Sequence, residues 1–540
     1  MAKDKKSTSM EASLWSACNK LRGSVSATDY VNVVLGLLFL RFAYDKFNTQ
    51  REKISKDKNA DIFLDDPKAY TKDNVFYLEE TDRWNYIVKN SKNNTIYDII
   101  DKAFKNIEKN NPSLRGALPI GFYVQLRMEP SKFSSLIDTI NKMNYSTDET
   151  NDVIGRVYEY FLKKFCIVAK SEKGEFYTPA SIVELMTDII QPYKGSVYDP
   201  CCGSGGMFVQ SAEFIKKHKG NTKNITIYGQ ESNPKTYKLA IMNLAIRGLN
   251  CDLGDIDADT FLHDKHKDLR ADFILANPPF NLRDWRTEKE LKDDGRWKGF
   301  PVPPVSNANY AWILHMLARL SSTGVAAFLL ANGSLSSGSE GTINEEDGLS
   351  EEEQNGKIEY NIRKKLINDN NIEAIIVLPR GMFYATDISV TLWIMVKGKK
   401  ERTVERDGKQ IKIRNREGEI LFIDARTLGD KGKNEDKYVI LTEEDKQRIK
   451  ETIFNWESPD YKNQYKDIPE FCRSVSNSEI AKNDYDLRTS KYIEFIDHDL
   501  NIDYEKEMKK IQDKMKKILQ EEEKSQESLK SAFEGIGYEL

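Results

Sequence analysis

Three things are scarce in this chain of 540 residues. Cysteine is the first. The six cysteines, Cys18, Cys166, Cys201, Cys202, Cys251 and Cys472, form no C-x-x-C pair and no regular spacing, so neither a disulfide framework nor a spaced Cys/His zinc site is indicated. A reduced, cytoplasmic protein with no bound metal is the economical reading. Long apolar runs are the second. The longest, Val31 to Leu40, contains Asn32 and ends at Arg41, far short of the roughly 20 residues that a membrane span needs, and no signal-peptide pattern precedes it. A basic excess is the third. With 81 Lys and Arg against 85 Asp and Glu, the formal net charge is −4, whereas a chain that grips a polyanion alone usually carries net positive charge. The phosphate-loop pattern G-x-x-x-x-G-K-(S/T) is absent, which excludes ATP-driven translocation by this chain, and no PD…(D/E)xK cluster marks a nuclease.

What is present fills two to four domains. Charged residues make up 31% and the mean hydropathy is −0.60, which describes a polar surface over ample core material. Residues 1–165 read as a helical domain, because SLWSACNKLRG, YVNVVLGLLFLRFAYDKF, TIYDIIDKAF and FSSLIDTINKM place apolar residues at helical spacing. Over 166–400 the rhythm becomes β-rich runs alternating with amphipathic helices. The runs are SVYDP, ITIYGQE, ADFILANPP, GVAAFLLANGS, IEAIIVLP and VTLWIMVKG. This alternation predicts a mostly parallel sheet covered on both faces, with ligands at the carboxyl ends of its strands. Residues 337–356 form an acidic, glycine-containing interruption expected to be a mobile surface loop. Residues 401–490 read as an irregular α/β extension. In 491–540, Tyr504, Met508, Ile511, Met515 and Ile518 recur at coiled-coil spacing, which predicts a helix that docks on another helix or subunit.

The chemistry concentrates at Asn277-Pro278-Pro279-Phe280. Two successive prolines remove two backbone N–H groups and fix φ twice, so the chain leaves the sheet at Asn277 in a stiff turn that presents an amide beside an aromatic ring. This suits a planar exocyclic amine such as N6 of adenine. With its two protons held by the Asn277 side-chain oxygen and the Pro278 carbonyl, and its ring stacked on Phe280, the nitrogen can pyramidalise toward a methyl donor. Asn277 has no useful basicity, so its role is positioning rather than proton abstraction. A strand-terminating turn without chemistry is the alternative.

A second constellation precedes it. Asp199-Pro200-Cys201-Cys202-Gly203-Ser204-Gly205-Gly206 follows one strand and opens a helix, where glycines allow a tight turn and helix N–H groups face a ligand. The acidic Asp199 repels a phosphate and attracts the ammonium of an amino acid, which favours S-adenosylmethionine over a nucleotide. The next strand ends at Gly229-Gln230-Glu231, where Glu231 is suited to take both ribose hydroxyls. In the segment GDIDADTF, Asp259 could accept from the cofactor's adenine amine while Phe261 covers the ring. Upstream, Glu175-Phe176-Tyr177-Thr178-Pro179 reads either as a helix start, with Thr178 as N-cap and Pro179 at the first position, or as a loop folded over the methionine end of the cofactor.

With F-Y-T-P, D-P-C-C-G-S-G-G, Glu231, A-D-T-F and N-P-P-F in this order, the chain resembles amino-methyltransferases of the N6-adenine DNA type, gamma arrangement. The resemblance narrows further. ANPPFN followed by DW, GRWKGFPVPP and NANYAWILHML, with LRGSVSATDYVNVVLGLLFLRF near the start and ILFIDART, FCRSV and EIAKNDYDL near the end, is similar to the modification subunit of type I restriction-modification systems. The resemblance implies an α/β fold: a Rossmann-like S-adenosylmethionine-dependent methyltransferase core with a mostly parallel seven-stranded sheet, an all-α N-terminal domain and a C-terminal helical tail. It implies cofactor binding by Tyr177, Thr178, Asp199, Gly203, Gly205, Glu231 and Asp259, and a flipped adenine of double-stranded DNA received by Asn277, Pro278, Pro279 and Phe280. The implied partners are a DNA specificity subunit docked on the C-terminal helix, a second copy of this chain and a restriction and translocase subunit, in a prokaryotic cytoplasm. The acidic balance agrees that sequence specificity comes from a partner. Methylation of a protein glutamine or of RNA, or a silent scaffold, are the rival readings. Residues 337–356 depart from the family pattern, and Cys201-Cys202 are small enough to fit the glycine turn.

Overall fold

Runs of β-branched and aromatic residues become strands, and most of them enter one sheet. In chain order the strands are β1 (Gly195–Asp199), β2 (Ile225–Gly229), β3 (Cys251–Asp252), β4 (Ala271–Ala276), β5 (Leu320–Ala331), β6 (Ile372–Val377) and β7 (Val390–Val396). Then come a separate hairpin of β8 (Arg402–Arg406) and β9 (Lys409–Ile413), β10 (Glu419–Asp424), the paired β11 (Asp430–Lys431) and β12 (Val439–Ile440), and β13 (Cys472–Ser476). The computed structural model describes residues 10–23, 25–56, 60–126, 128–142, 153–168, 178–338, 350–383, 387–431, 438–496 and 504–535. Glu175, Phe176 and Tyr177, and residues 339–349 of the acidic segment, lie outside them.

The sheet runs β13-β10-β6-β7-β5-β4-β1-β2-β3. All pairings are parallel except those of β7 with both its neighbours and of β13 with β10. Seven strands were expected, and among the described residues nine are found in this sheet. The two extra ones, β10 and β13, come from the segment read as an irregular extension. They prolong the β6 edge because Ile420, Leu421, Phe422, Ile423 and Val475 are buried between covering helices. Strand β3 left no periodic signal because it is two residues long. Strands β6 and β7 are buried at every position, as expected of strands covered on both faces.

The N-terminal helices are α1 (Met10–Lys20), α2 (Ala27–Ile54), α3 (Ala60–Phe63), α4 (Lys68–Thr71), α5 (Trp84–Lys89), α6 (Ile96–Asn110), α7 (Pro130–Asn141) and α8 (Val153–Val168). Except for α3, whose Ile62 and Phe63 are exposed, their apolar faces join one hydrophobic cluster with α9 (Ala180–Ile190), α10 (Gly206–Lys217) and α11 (Pro234–Ile246) on one face of the sheet. A second cluster on the other face is built from α12 (Asn309–Arg319) and α13 (Glu351–Asn368). Helix α13 begins inside the segment expected to be a mobile loop. Ser350 accepts from the Glu353 N–H while the Glu353 carboxylate accepts from the Ser350 N–H, a reciprocal cap that starts the helix there. Helices α14 (Glu443–Glu457), α15 (Tyr461–Gln464) and α16 (Asn477–Lys482) follow. Among the described residues no helix is long and apolar enough to cross a membrane.

Contacts divide the chain at Ile493, and α17 (Tyr504–Glu534) belongs to the second unit. Along α17, Tyr504, Met508, Ile511, Met515 and Ile518 are all exposed.

Gly36 lies inside α2, where an added Cβ would collide with the Tyr123 hydroxyl that donates to the Val33 carbonyl at 2.9 Å. Gly36→Ala is expected to lower stability by about 1–3 kcal/mol although alanine favours helix, because overpacking outweighs propensity. Adding Tyr123→Phe should recover part of that loss in denaturant melts.

Candidate functional site

Three adjacent parallel strands end together. β1 lies between β2 and β4, with Asp199 level with Gly229 and Tyr198 level with Ile274, and the order of connection reverses between β1 and β4, which opens a crevice at their carboxyl ends. The structure therefore brings Asp199, Glu231 and Asn277 to one edge.

On the β4 side the double-proline turn is held at both ends. Asn277 Nδ2 donates to Thr178 Oγ1 at 3.0 Å, while Asn277 Oδ1 is buried without a hydrogen-bond partner. At the far end, Asn281 adopts a left-handed φ of 53°. It exchanges two bonds with the buried Asn309 of α12: Asn281 N–H to Asn309 Oδ1 at 3.1 Å, and Asn309 Nδ2 to Asn281 Oδ1 at 2.9 Å. The Phe280 ring is half-buried and meets Phe383 edge-on, with centroids 5.9 Å apart and planes at 83°. Pro278 is buried and Pro279 half-buried.

On the β1 side Asp199 is buried, and its Oδ1 accepts from the Cys201 N–H at 3.0 Å. Burial, reinforced by the charge of Glu231 and opposed by the Cys201 bond, pushes its carboxyl up to about 7. Gly203 and Gly205 adopt φ of 54° and 81°, which glycine takes at no steric cost, and a Cβ at Gly203 would meet nothing within 4 Å. The turn thus leaves open space above Gly203. The two Glu231 oxygens accept from the N–H groups of Gly203 at 3.0 Å and Asn233 at 2.7 Å. The Ser204 carbonyl accepts from Asn243 Nδ2 at 2.8 Å. Asp259 Oδ1 accepts from the N–H groups of Phe261 and Leu262, both at 2.8 Å.

Two expectations change. Helix α9 starts at Ala180 with Pro179 as N-cap. Thr178 does not cap it, since its hydroxyl is taken by Asn277. The Phe261 ring, expected to cover the cofactor's adenine, is 3% exposed and packs between Trp285 and Trp312, at centroid distances of 4.5 Å and 4.3 Å. Its neighbours are too far along the chain to be seen by local periodicity. Sequence reasoning also missed Phe383, Asn281, Asn309 and Gln230. Gln230, fully buried, accepts from the Cys202 N–H at 2.9 Å through its carbonyl and from the Lys265 N–H at 3.0 Å through Oε1. Asn281 directly follows the aromatic of the turn, and that adjacency was the available signal.

Comparison with known proteins bears on this site. The N-6 DNA Methylase family matches residues 149–500, and the HsdM N-terminal domain matches residues 10–161. The chain belongs to the N-6 DNA methylase family. It is 33% identical over 98% of its length, and 91% of the relative's, to the type I restriction enzyme MjaIX methylase subunit of Methanocaldococcus jannaschii. It is 37% identical to the HindI methylase subunit of Haemophilus influenzae, over 82% of this chain and 93% of that one. Among solved structures, the methyltransferase subunit of a type I restriction-modification system from Streptococcus thermophilus shares the fold, with a TM-score of 0.69, 24% identity and coverage of 90% and 99%. The chain is thus a modification subunit of the type I class and a DNA methyltransferase, and the nine-stranded sheet with its helical N-terminal region carries the family's Rossmann-like core.

The raised Asp199 carboxyl makes a signed prediction. A group whose folded pKa lies above its unfolded value stabilises at low pH and loses that contribution as pH rises from about 4 through about 7. Asp199→Asn, which does not titrate, should therefore be more stable than the unsubstituted protein at pH 8, by on the order of 4 kcal/mol, with the gap shrinking toward pH 4. Melting curves across that range, without ligand, check it.

Proposed function

We propose that this chain transfers a methyl group from S-adenosylmethionine to N6 of an adenine flipped out of double-stranded DNA, in a complex whose partner subunit reads the sequence. One observation carries the reading: the Asn277 amide is fixed through its nitrogen by Thr178, so its oxygen is left buried and unpartnered. An unmet buried acceptor costs about 1–3 kcal/mol, and a donor such as an exocyclic amine relieves it. The Pro278 carbonyl accepts the second N6 proton, and the nitrogen lone pair is then free to turn toward the methyl group. Phe280 stacks on the base face. Flipping is required because N6 of a stacked, paired adenine is out of reach.

The residues on the β1 side fit S-adenosylmethionine, which when bound supplies an electrophilic methyl group on sulfur. Asp199 holds an ammonium, Glu231 the ribose hydroxyls and Asp259 an adenine amine. Gly203, Ser204 and Gly205 leave room for the ligand to approach the backbone, where the Gly203 Cβ position is open. Thr178 and Pro179 serve the methionine end, to which the sequence motif also assigns Glu175 and Tyr177. Because Thr178 also holds Asn277, a residue of the donor side orients the acceptor-side amide.

The exposed apolar stripe of α17 docks on the DNA specificity subunit, with a second copy of this chain and a restriction and translocase subunit completing the assembly in a prokaryotic cytoplasm. With a net charge of −4, much of the phosphate grip falls to that partner.

The test is transfer of labelled methyl from S-adenosylmethionine to DNA, with and without the specificity subunit, followed by identification of the modified base. N6-methyladenine formed only with the partner supports the proposal, and label in RNA or protein sinks it. Asn277→Ala should abolish methylation while assembly and cofactor binding persist. A chain truncated before about residue 500 should still bind S-adenosylmethionine yet fail to co-purify with the specificity subunit.

A further inference from the structure

The strand-end loops of the β1 side are held down by one arginine from outside them. Arg296 lies in a short 3-10 turn, Gly295–Trp297, and is 6% exposed. Its guanidinium donates to the Thr260 carbonyl at 2.9 Å and to the Phe261 carbonyl at 2.6 Å. Asp294 grips the other side of the fork, through Nε at 2.8 Å and a second nitrogen at 2.8 Å. His315 Nδ1 of α12 lies 3.3 Å from the same guanidinium. Burial, with Arg296 and Arg319 adding to it, holds the His315 imidazole far below its usual value. It is therefore neutral, accepts from Arg296 at Nδ1 and donates from Nε2 to the Tyr198 hydroxyl, 3.0 Å away on β1. Thr260, gripped through its carbonyl, donates from its own hydroxyl to the Pro200 carbonyl.

These bonds form a continuous chain. It runs from Arg296 through Thr260 to Pro200 in the glycine turn, and through His315 to β1. The residue directly before Thr260 is Asp259. We infer that Arg296 is a positioning residue for the cofactor: it clamps the Asp259–Phe261 loop onto the Pro200 turn, so that the group meant for the adenine amine and the group meant for the ammonium keep a constant separation. This rests on the S-adenosylmethionine reading of the site. Arginine is required because its planar fork serves two carbonyls, a carboxylate and an imidazole at once, and lysine keeps the charge but not the fork. Without the fork, two buried carbonyls lose their donors and the loop shifts to find others.

The experiment compares the full chain with Arg296→Lys. S-Adenosylhomocysteine binding is measured by calorimetry on the chain alone, and steady-state methylation is measured with the specificity subunit present. The substitution is expected to weaken S-adenosylhomocysteine binding by about 10-fold or more and to raise KM for S-adenosylmethionine in parallel. Both kcat at saturating cofactor and KM for DNA should stay within about 2-fold, a split that general damage to the fold would not produce. A folded Arg296→Lys chain with unchanged cofactor affinity overturns the assignment, as does an equal loss in kcat and in KM for DNA. If Arg296→Lys does not fold, Asp294→Asn, which frees one side of the fork, decides by the same split. Failure of the unsubstituted chain to bind S-adenosylhomocysteine overturns the cofactor reading, and the clamp with it.

Discussion

Parallel strands that are hydrogen-bonded side by side end on the same edge, and everything else at this site depends on that constraint. Asp199, Glu231 and Asn277 are far apart in the chain, yet β1, β2 and β4 are neighbours, so three short overhangs meet within the width of three strands. The reversal of strand order between β1 and β4 keeps the crevice clear of a crossing helix. The double proline then stops β4 without offering N–H groups that would need partners.

A strand edge alone is too soft to hold reacting groups to fractions of an ångström, and here polar side chains from α12 supply the stiffness. Asn309 ties down the base-side turn through Asn281, and His315 joins β1 to Arg296. Arg319 pairs with Asp264, next to the loop that Gln230 holds. One helix therefore grips both halves of the crevice. Asn309, His315, Arg296, Arg319 and Asp264 are buried, where a satisfied polar bond rigidifies and a broken one is expensive. Among the described residues, Asn277 Oδ1 at the strand end is buried without a partner, as are Arg319 Nε and Trp312 Nε1 on α12. Of these, only Asn277 Oδ1 is an acceptor at the strand end, where a site that binds a donor would leave one open.

The N-terminal helices share a hydrophobic cluster with the helices on one face of the sheet. The strands β10 and β13 widen the sheet on the side away from the crevice. Helix α17 is a separate unit whose apolar residues are exposed along most of its length.

By itself the sequence determined the types of the main elements over 166–400, the mostly parallel character of the sheet and the order of the motifs along the strand ends, because these rest on short-range properties: β-branched runs, helical spacing, and glycine or proline at fixed offsets. It also carried the family resemblance, which comparison over nearly the whole chain bears out. Tertiary structure decided what those residues touch. The Thr178–Asn277 bond spans 99 residues, the Asn281–Asn309 pair 28 and the Arg296–Thr260 bond 36, and no local pattern encodes such pairings. The same reason explains Phe261. Its place beside Asp259 in the sequence suggested a ligand-facing ring, but a large aromatic side chain gains most by burial, and the fold offers it Trp285 and Trp312 on the inner side of the loop.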